Sequence, residues 1–142
     1  MPICKEALDI LNERFGHDTL LALATVENGR PRVRHVNACY WDGAFYVITY
    51  ALSNKMKQLK QDPHVAVCGE WFTAQGTGHN LGHVLAPENA PAMEKLRAAF
   101  ADWYGNGHVN EADPNTCLLQ IRLTEGTLFS HGTRYDLVFD EE

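Results

Sequence analysis

Two dipeptides, Asn28-Gly29 and Asp42-Gly43, constrain this chain more than any other feature. Each is a two-residue hairpin signal, because a tight turn that matches the strand twist needs positive φ at its central positions. Asn, Asp and Gly tolerate that conformation best. The runs around them, Thr19 to Val26, Pro31 to Trp41 and Ala44 to Tyr50, are apolar and β-compatible. The first half of the chain is therefore read as a three-stranded antiparallel meander.

Helical spacing at Ala7, Leu8, Leu11 and Phe15 predicts a helix from Cys4 to Phe15, stopped by Gly16. Ser53 is a candidate cap for a short helix from Asn54 to Gln61, which Asp62-Pro63 ends. Val65 to Phe72 reads as a buried strand, and Gln75 to Val84 as a glycine-rich turn that becomes a strand. A helix is expected from about Pro91 to Tyr104, with Met93, Leu96, Ala99, Phe100 and Trp103 on one side. Gly105 to Asn115 reads as polar loop. Cys117 to Leu123, Thr127 to His131 and Tyr135 to Phe139 close the chain as strands around Glu125-Gly126 and Gly132. Seven or so short antiparallel strands with three helices make a mainly β fold, a small barrel with flanking helices.

Length sets the frame: 142 residues suit a single domain spanning 1–142. No apolar run approaches the roughly 18 residues of a spanning helix, so no membrane domain is expected. The charged, amphipathic start of the chain has no signal-peptide stretch, which makes the cytoplasm the expected location. Cys4, Cys39, Cys68 and Cys117 form no Cys-x-x-Cys pair, so buried free thiols are expected rather than disulfides or zinc.

The net charge of −6 hides a local reversal. Between residues 30 and 60, six cations (Arg30, Arg32, Arg34, Lys55, Lys57, Lys60) face one acid, Asp42, an island of +5 in a chain that otherwise carries −11. That pattern argues against nucleic acid, whose partners present a broadly basic face. It fits a pocket for one small anion. No Gly-x-Ser-x-Gly elbow or P-loop is present, and Gly76-Thr77-Gly78 with Gly82 misses the dinucleotide fingerprint by one residue. His79 and His83 would lie about 13 Å apart in a strand, so no metal site is expected. Nothing in the pattern demands a catalytic acid or base. Thr49, Ser53 and Lys55 lead from a strand into a short helix, with Arg34 on the neighbouring strand; hydroxyls, cations and free helix N–H groups are what a phosphate needs.

These segments carry a resemblance. Leu23-Ala24-Thr25, Gly29-Arg30-Pro31-Arg32-Val33-Arg34, Phe45-Tyr46-Val47-Ile48-Thr49, Ser53-Asn54-Lys55, Gln58 and Asp62-Pro63 resemble the pyridoxamine-phosphate-oxidase-like family of FMN-binding split barrels, in its general-stress-protein-like branch. The resemblance implies a six-stranded Greek-key split barrel, a homodimer and FMN at the dimer interface. It implies that Arg34, Asn54 and Lys55 surround the FMN phosphate with Ser53 close by. Val36, Ile48 and Thr49 would lie along the ring and ribityl chain, and Gln58 would reach the ring or ribityl. The chain departs from the oxidases proper at Cys39, where they carry lysine. It departs again at Arg134-Tyr135-Asp136, where they place Arg-x-His-x-Arg. A flavin oxidoreductase acting on an unidentified small-molecule substrate or electron donor is therefore expected, without pyridoxamine phosphate oxidation. A non-catalytic flavin- or haem-binding dimer and a deazaflavin-dependent reductase are the alternatives. Trp41, Tyr50, Trp71 and Phe72 are candidate slot residues as well as candidate core.

Overall fold

The structure, a computed structural model, describes residues 3–139. The meander forms as the turn signals dictate: β1 (Thr19–Glu27), β2 (Arg30–Trp41) and β3 (Ala44–Tyr50). Asn28 and Gly29 adopt φ of 52° and 79°, and Asp42 and Gly43 adopt 49° and 85°. Both hairpins therefore use left-handed residue pairs that preserve the strand twist. Glu27 pairs with Arg30 and Thr19 with Ala38, so the register is unbroken across β1 and β2.

Four more strands follow: β4 (His64–Gly69), β5 (Phe72–His83), β6 (Thr116–Ser130) and β7 (Thr133–Val138). The order is β3-β2-β1-β4-β5-β6-β7, and β3 also pairs with β6. That last pairing closes six antiparallel strands into a split barrel and removes their free edges. β6 serves two neighbours on one side: Thr116–Arg122 runs along β3, and Glu125–Ser130 runs along β7.

Several expectations need correction. Residues 117–131 are not two strands around Glu125-Gly126; a single 15-residue strand passes through both residues. Likewise the glycines at 76 and 78 lie within β5 rather than in a turn. The physical reason is close approach. A Cβ on Gly76 would lie 1.9 Å from the Arg122 carbonyl oxygen, beside a register shift, and one on Gly126 would lie 2.6 Å from the Thr73 carbonyl oxygen. Glycine here lets tightly coiled strands touch, the same residue type that elsewhere marks turns. The strand expected from Val65 to Phe72 is cut by a turn at Glu70-Trp71, with Trp71 left-handed at φ 51°. The third long helix ends early: α3 spans Ala90–Ala99, Phe100 breaks it, and a helical turn over Ala101–Trp103 leads into a wide turn over Tyr104–His108.

Alternation along the strands turns Leu21, Leu23, Val36, Val47, Val67, Leu119 and Ile121 into the barrel. Two helices close its ends. α1 (Lys5–Phe15) inserts Ala7, Leu11 and Phe15, whose ring lies 5.7 Å from Phe45 and 5.1 Å from Phe72. α2 (Asn54–Gln61) inserts Met56 and Leu59 at the other end. α3 packs outside, Met93, Leu96 and Phe100 meeting Cys39, Ala44, Tyr46 and Leu118. Of the four thiols, Cys39 and Cys117 are buried, but Cys4 and Cys68 are exposed, against expectation; Cys68 sits on the outward parity of β4. No helix among the described residues is long and apolar enough to cross a membrane.

Candidate functional site

The α2 end of the barrel collects polar groups that the α1 end lacks. Inward parity on β1 runs Leu21, Leu23, Thr25, so the last inward residue is a hydroxyl, 1% exposed. On β2 the same parity delivers Arg34 below Val36. Arg34 Nη1 donates to the Leu23 carbonyl at 3.1 Å and to Thr25 Oγ1 at 2.8 Å, and Nη2 donates to Gln58 Oε1 at 2.8 Å. Thr25 Oγ1 in turn donates to the same Gln58 oxygen at 2.6 Å.

Chain reversal after β3 sets the N-terminus of α2 beside this cluster. Ser53 N bonds to the Tyr50 carbonyl at 3.0 Å, and Ser53 takes the extended conformation of an N-cap. Its side chain does not cap the helix, contrary to expectation. Ser53 Oγ is buried and has no hydrogen-bond partner among the described residues. An open cleft of about 520 Å³ brings together Arg34, Ser53, Asn54, Lys55 and Gln58 with Glu27, Arg32 and Val33. Glu27 is committed to Arg32 by contacts of 2.9 and 3.0 Å, which cancels that pair of charges. Asp62, at the far end of α2, is held by His64, whose backbone and ring bonds keep its carboxyl below the usual range.

Arg34 and Lys55 are left without a counter-ion among the described residues. Burial lowers the pKa of Lys55, and the nearby Arg34 charge lowers it further; burial also lowers that of Arg34. Two partly desolvated cations, an orphaned hydroxyl and the free N–H groups of a helix start all lack the same partner, an anion.

The remaining sequence candidates fall elsewhere. Ile48 and Thr49 line a second cleft of about 200 Å³, with Tyr50, Thr116 and the connection residues His108, Val109, Asn110 and Asp113. That connection is clasped by Arg97 Nε on Glu111 at 2.9 Å, with the Tyr104 hydroxyl donating to the same carboxylate oxygen. The bonds from Arg97 and Tyr104 hold the Glu111 carboxyl low in pKa, while burial, helped by Glu111, raises that of Tyr104. Ala51 N to the Asn115 carbonyl, 2.7 Å, ties the connection to the segment between β3 and α2. Val36 is 8% exposed in the barrel core. Phe72 is core, Trp71 is exposed, and Trp41 packs on the outer cluster beneath α3. His79 bonds to Thr77 and His83 to the Asp113 carbonyl, and no metal-binding group of three or more ligands occurs among the described residues.

Sequence reasoning missed Thr25 as a site residue, along with the wall formed by His108, Asn110 and Thr116. Thr25 was findable as the hydroxyl that follows Leu21 and Leu23 on the inward stripe of β1. The wall was not, because residues 105–115 have no periodicity. On β7, Arg134 Nε bonds to Asp136 Oδ1 at 3.0 Å with both side chains exposed.

Comparison with known proteins agrees with this architecture. General Stress Protein 26 from Bacillus anthracis superposes with a TM-score of 0.70 at 17% identity, covering 93% of this chain and 99% of that one. An FAD-binding protein from Mesorhizobium loti gives 0.65 at 14% identity, over 85% of this chain and 89% of that one. A heme-binding protein from Mycobacterium smegmatis gives 0.65 at 16% identity, over 85% of this chain and 53% of that one. These likenesses establish the fold. No curated protein matches in sequence. Residues 7–130 match the family model described as pyridoxamine 5'-phosphate oxidase, and the chain belongs to that family.

Proposed function

We propose that the protein is a homodimeric FMN-binding flavoprotein that acts as an oxidoreductase on a small-molecule substrate or electron donor. The observation that carries this reading is the cleft at the N-terminus of α2, where, among the described residues, Arg34 and Lys55 stand without a counter-ion beside a Ser53 Oγ without a hydrogen-bond partner. In this reading Ser53, Asn54 and Lys55 hold the FMN phosphate with Arg34 behind them. Ile48, Thr49 and Tyr50 supply the surface along which the rest of the cofactor lies. When bound, FMN supplies a centre that accepts or donates hydride, while the protein binds, orients and excludes water.

An uncovered sheet face supports the homodimer. Leu20 and Val33 are 61% and 71% exposed, and the outward parity between them and β4 is small and apolar (Ala22, Ala24, Ala66, Cys68). Glu125, Arg134 and Asp136 border this strip, and its apolar middle, set in an acidic chain, matches the apolar core of obligate interfaces. Sedimentation of FMN-loaded protein at micromolar concentration is expected to show a dimer, and a monomer contradicts it.

The absorbance spectrum of the purified protein tests the cofactor. Oxidised-flavin bands that bleach on adding reduced nicotinamide support the oxidoreductase. A Soret band, or a colourless protein that takes up no FMN, overturns it. Pyridoxamine phosphate is not the expected substrate. It needs a second cationic cluster, and Arg134, the residue placed for that task, is neutralised by Asp136. Aerobic turnover of about 1 s⁻¹ or faster, an ordinary enzyme rate, would restore that activity.

A further inference from the structure

We propose that Gln58 is a positioning residue: with Thr25 it holds the Arg34 guanidinium at the α2 cleft through neutral oxygens, leaving the full charge of Arg34 for a dianionic phosphate monoester. This rests on the phosphate reading of the cleft and specifies how its charge is set.

Arg32, Arg97 and Arg134 are each matched to a carboxylate, Glu27, Glu111 and Asp136, while Arg14 donates to the Glu70 carbonyl and Arg30 and Arg122 make no ion pair among the described residues. Arg34, more deeply placed, is matched to three acceptors that carry no net charge: a backbone carbonyl, a hydroxyl and an amide oxygen. Burial ordinarily demands the reverse, because desolvated charges are expected to be paired. A neutral cradle fixes geometry without consuming charge. The orientation of the Gln58 amide follows from its partners. Arginine only donates, and the Thr25 hydroxyl, which already accepts from Arg34, has its proton free for Gln58. Gln58 is itself 7% exposed, so its oxygen is fixed by packing as well as by its two donors. Lys55 is the second cation of the cleft and likewise makes no ion pair among the described residues. Two uncompensated positive charges match two negative ones.

Gln58→Glu tests this, since it keeps the shape and both hydrogen bonds while placing a carboxylate against Arg34. FMN, riboflavin and inorganic phosphate are titrated into the full chain freed of flavin, and thermal unfolding is followed without ligand. The expected result is a fall of about tenfold or more in FMN affinity, the scale of a charge-assisted contact. Riboflavin affinity should stay within about twofold, competition by phosphate should weaken, and the melting temperature should hold or rise. Gln58→Met, which removes the acceptor without adding charge, guards against misfolding of the first variant. It should cost FMN several-fold and leave riboflavin unchanged. Equal losses for FMN and riboflavin in either variant would make Gln58 a ring or ribityl contact and overturn the inference. An unchanged FMN preference in Gln58→Glu also overturns it while leaving the phosphate reading intact. Wild-type protein that binds both flavins equally removes that reading and the inference with it.

Discussion

The two ends of the barrel are closed by the same device, a helix whose apolar face enters the strands, yet they are built from opposite materials. At the α1 end Phe15, Phe45, Phe72 and Tyr40 pack ring against ring, with centroid separations of 5.1 to 6.0 Å. The Tyr40 hydroxyl is buried there without a partner, and burial with the nearby Asp42 raises its pKa to about 12. At the α2 end Thr25, Arg34, Ser53, Lys55 and Gln58 replace aromatics with donors and cations. One end stabilises the fold. The other holds partly desolvated positive charge that folding alone does not require, the feature on which the proposed phosphate site rests.

If the ends are separate in this way, substitutions at each should move different observables. Phe15→Ala should cause the largest effect, a loss of about 3–5 kcal/mol of stability in urea unfolding. The ratio of FMN to riboflavin affinity should not change; a collapse of that ratio would show the ends to be coupled. Arg34→Ala and Lys55→Ala should each weaken FMN by about 1.5–3 kcal/mol, roughly ten- to hundredfold, and spare riboflavin. Equal losses would make both residues supports of the fold. Ser53→Ala should weaken FMN by about 0.5–1.5 kcal/mol. Its stability cost should fall below the usual ~1 kcal/mol of a lost helix cap, because Ser53 Oγ makes no cap bond.

The smallest effect concerns pH. Burial and Arg34 lower the Lys55 pKa in the folded, flavin-free protein, so between that value and the ordinary 10.5 the unfolded chain binds more protons. Stability contributed at Lys55 therefore rises with pH across that window. Lys55→Met should exceed wild type in melting temperature near neutrality, and the gap should close as pH approaches 10.5. Saturating FMN should reverse the order near neutrality. A gap that widens with pH would mean that Lys55 is stabilised where it lies.

The sequence was most readable where local chemistry and global fold agree. Asn28-Gly29 and Asp42-Gly43 occupy left-handed turns because Asn, Asp and Gly tolerate that conformation best, and Ser53, Asn54 and Lys55 begin α2 where a break after β3 placed them. The resemblance likewise supplied Arg34, Ser53, Asn54, Lys55 and Gln58, which the fold gathers in one cleft. Reading failed where a residue type has two physical uses. Gly76 and Gly126 look like turn residues, but they permit a close approach of β5 and β6 that only tertiary structure creates. Gln58 does line the cleft as a candidate contact, and what spacing could not show is that its oxygen also faces Arg34 and Thr25, 24 and 33 residues away in the chain. Ser53 looked like a cap because spacing cannot show where a hydroxyl points.

If the proposed function holds, the α2 end of the barrel is built for the phosphate of a flavin mononucleotide. Parallel titration of flavin-free protein with FMN and riboflavin, at one pH and one salt concentration, tests it most directly, because the phosphate is the only difference between them. FMN is expected to bind at least about tenfold more tightly, with a preference that shrinks as salt screens the cleft. Equal affinity for the two flavins, or no binding of either, would contradict it.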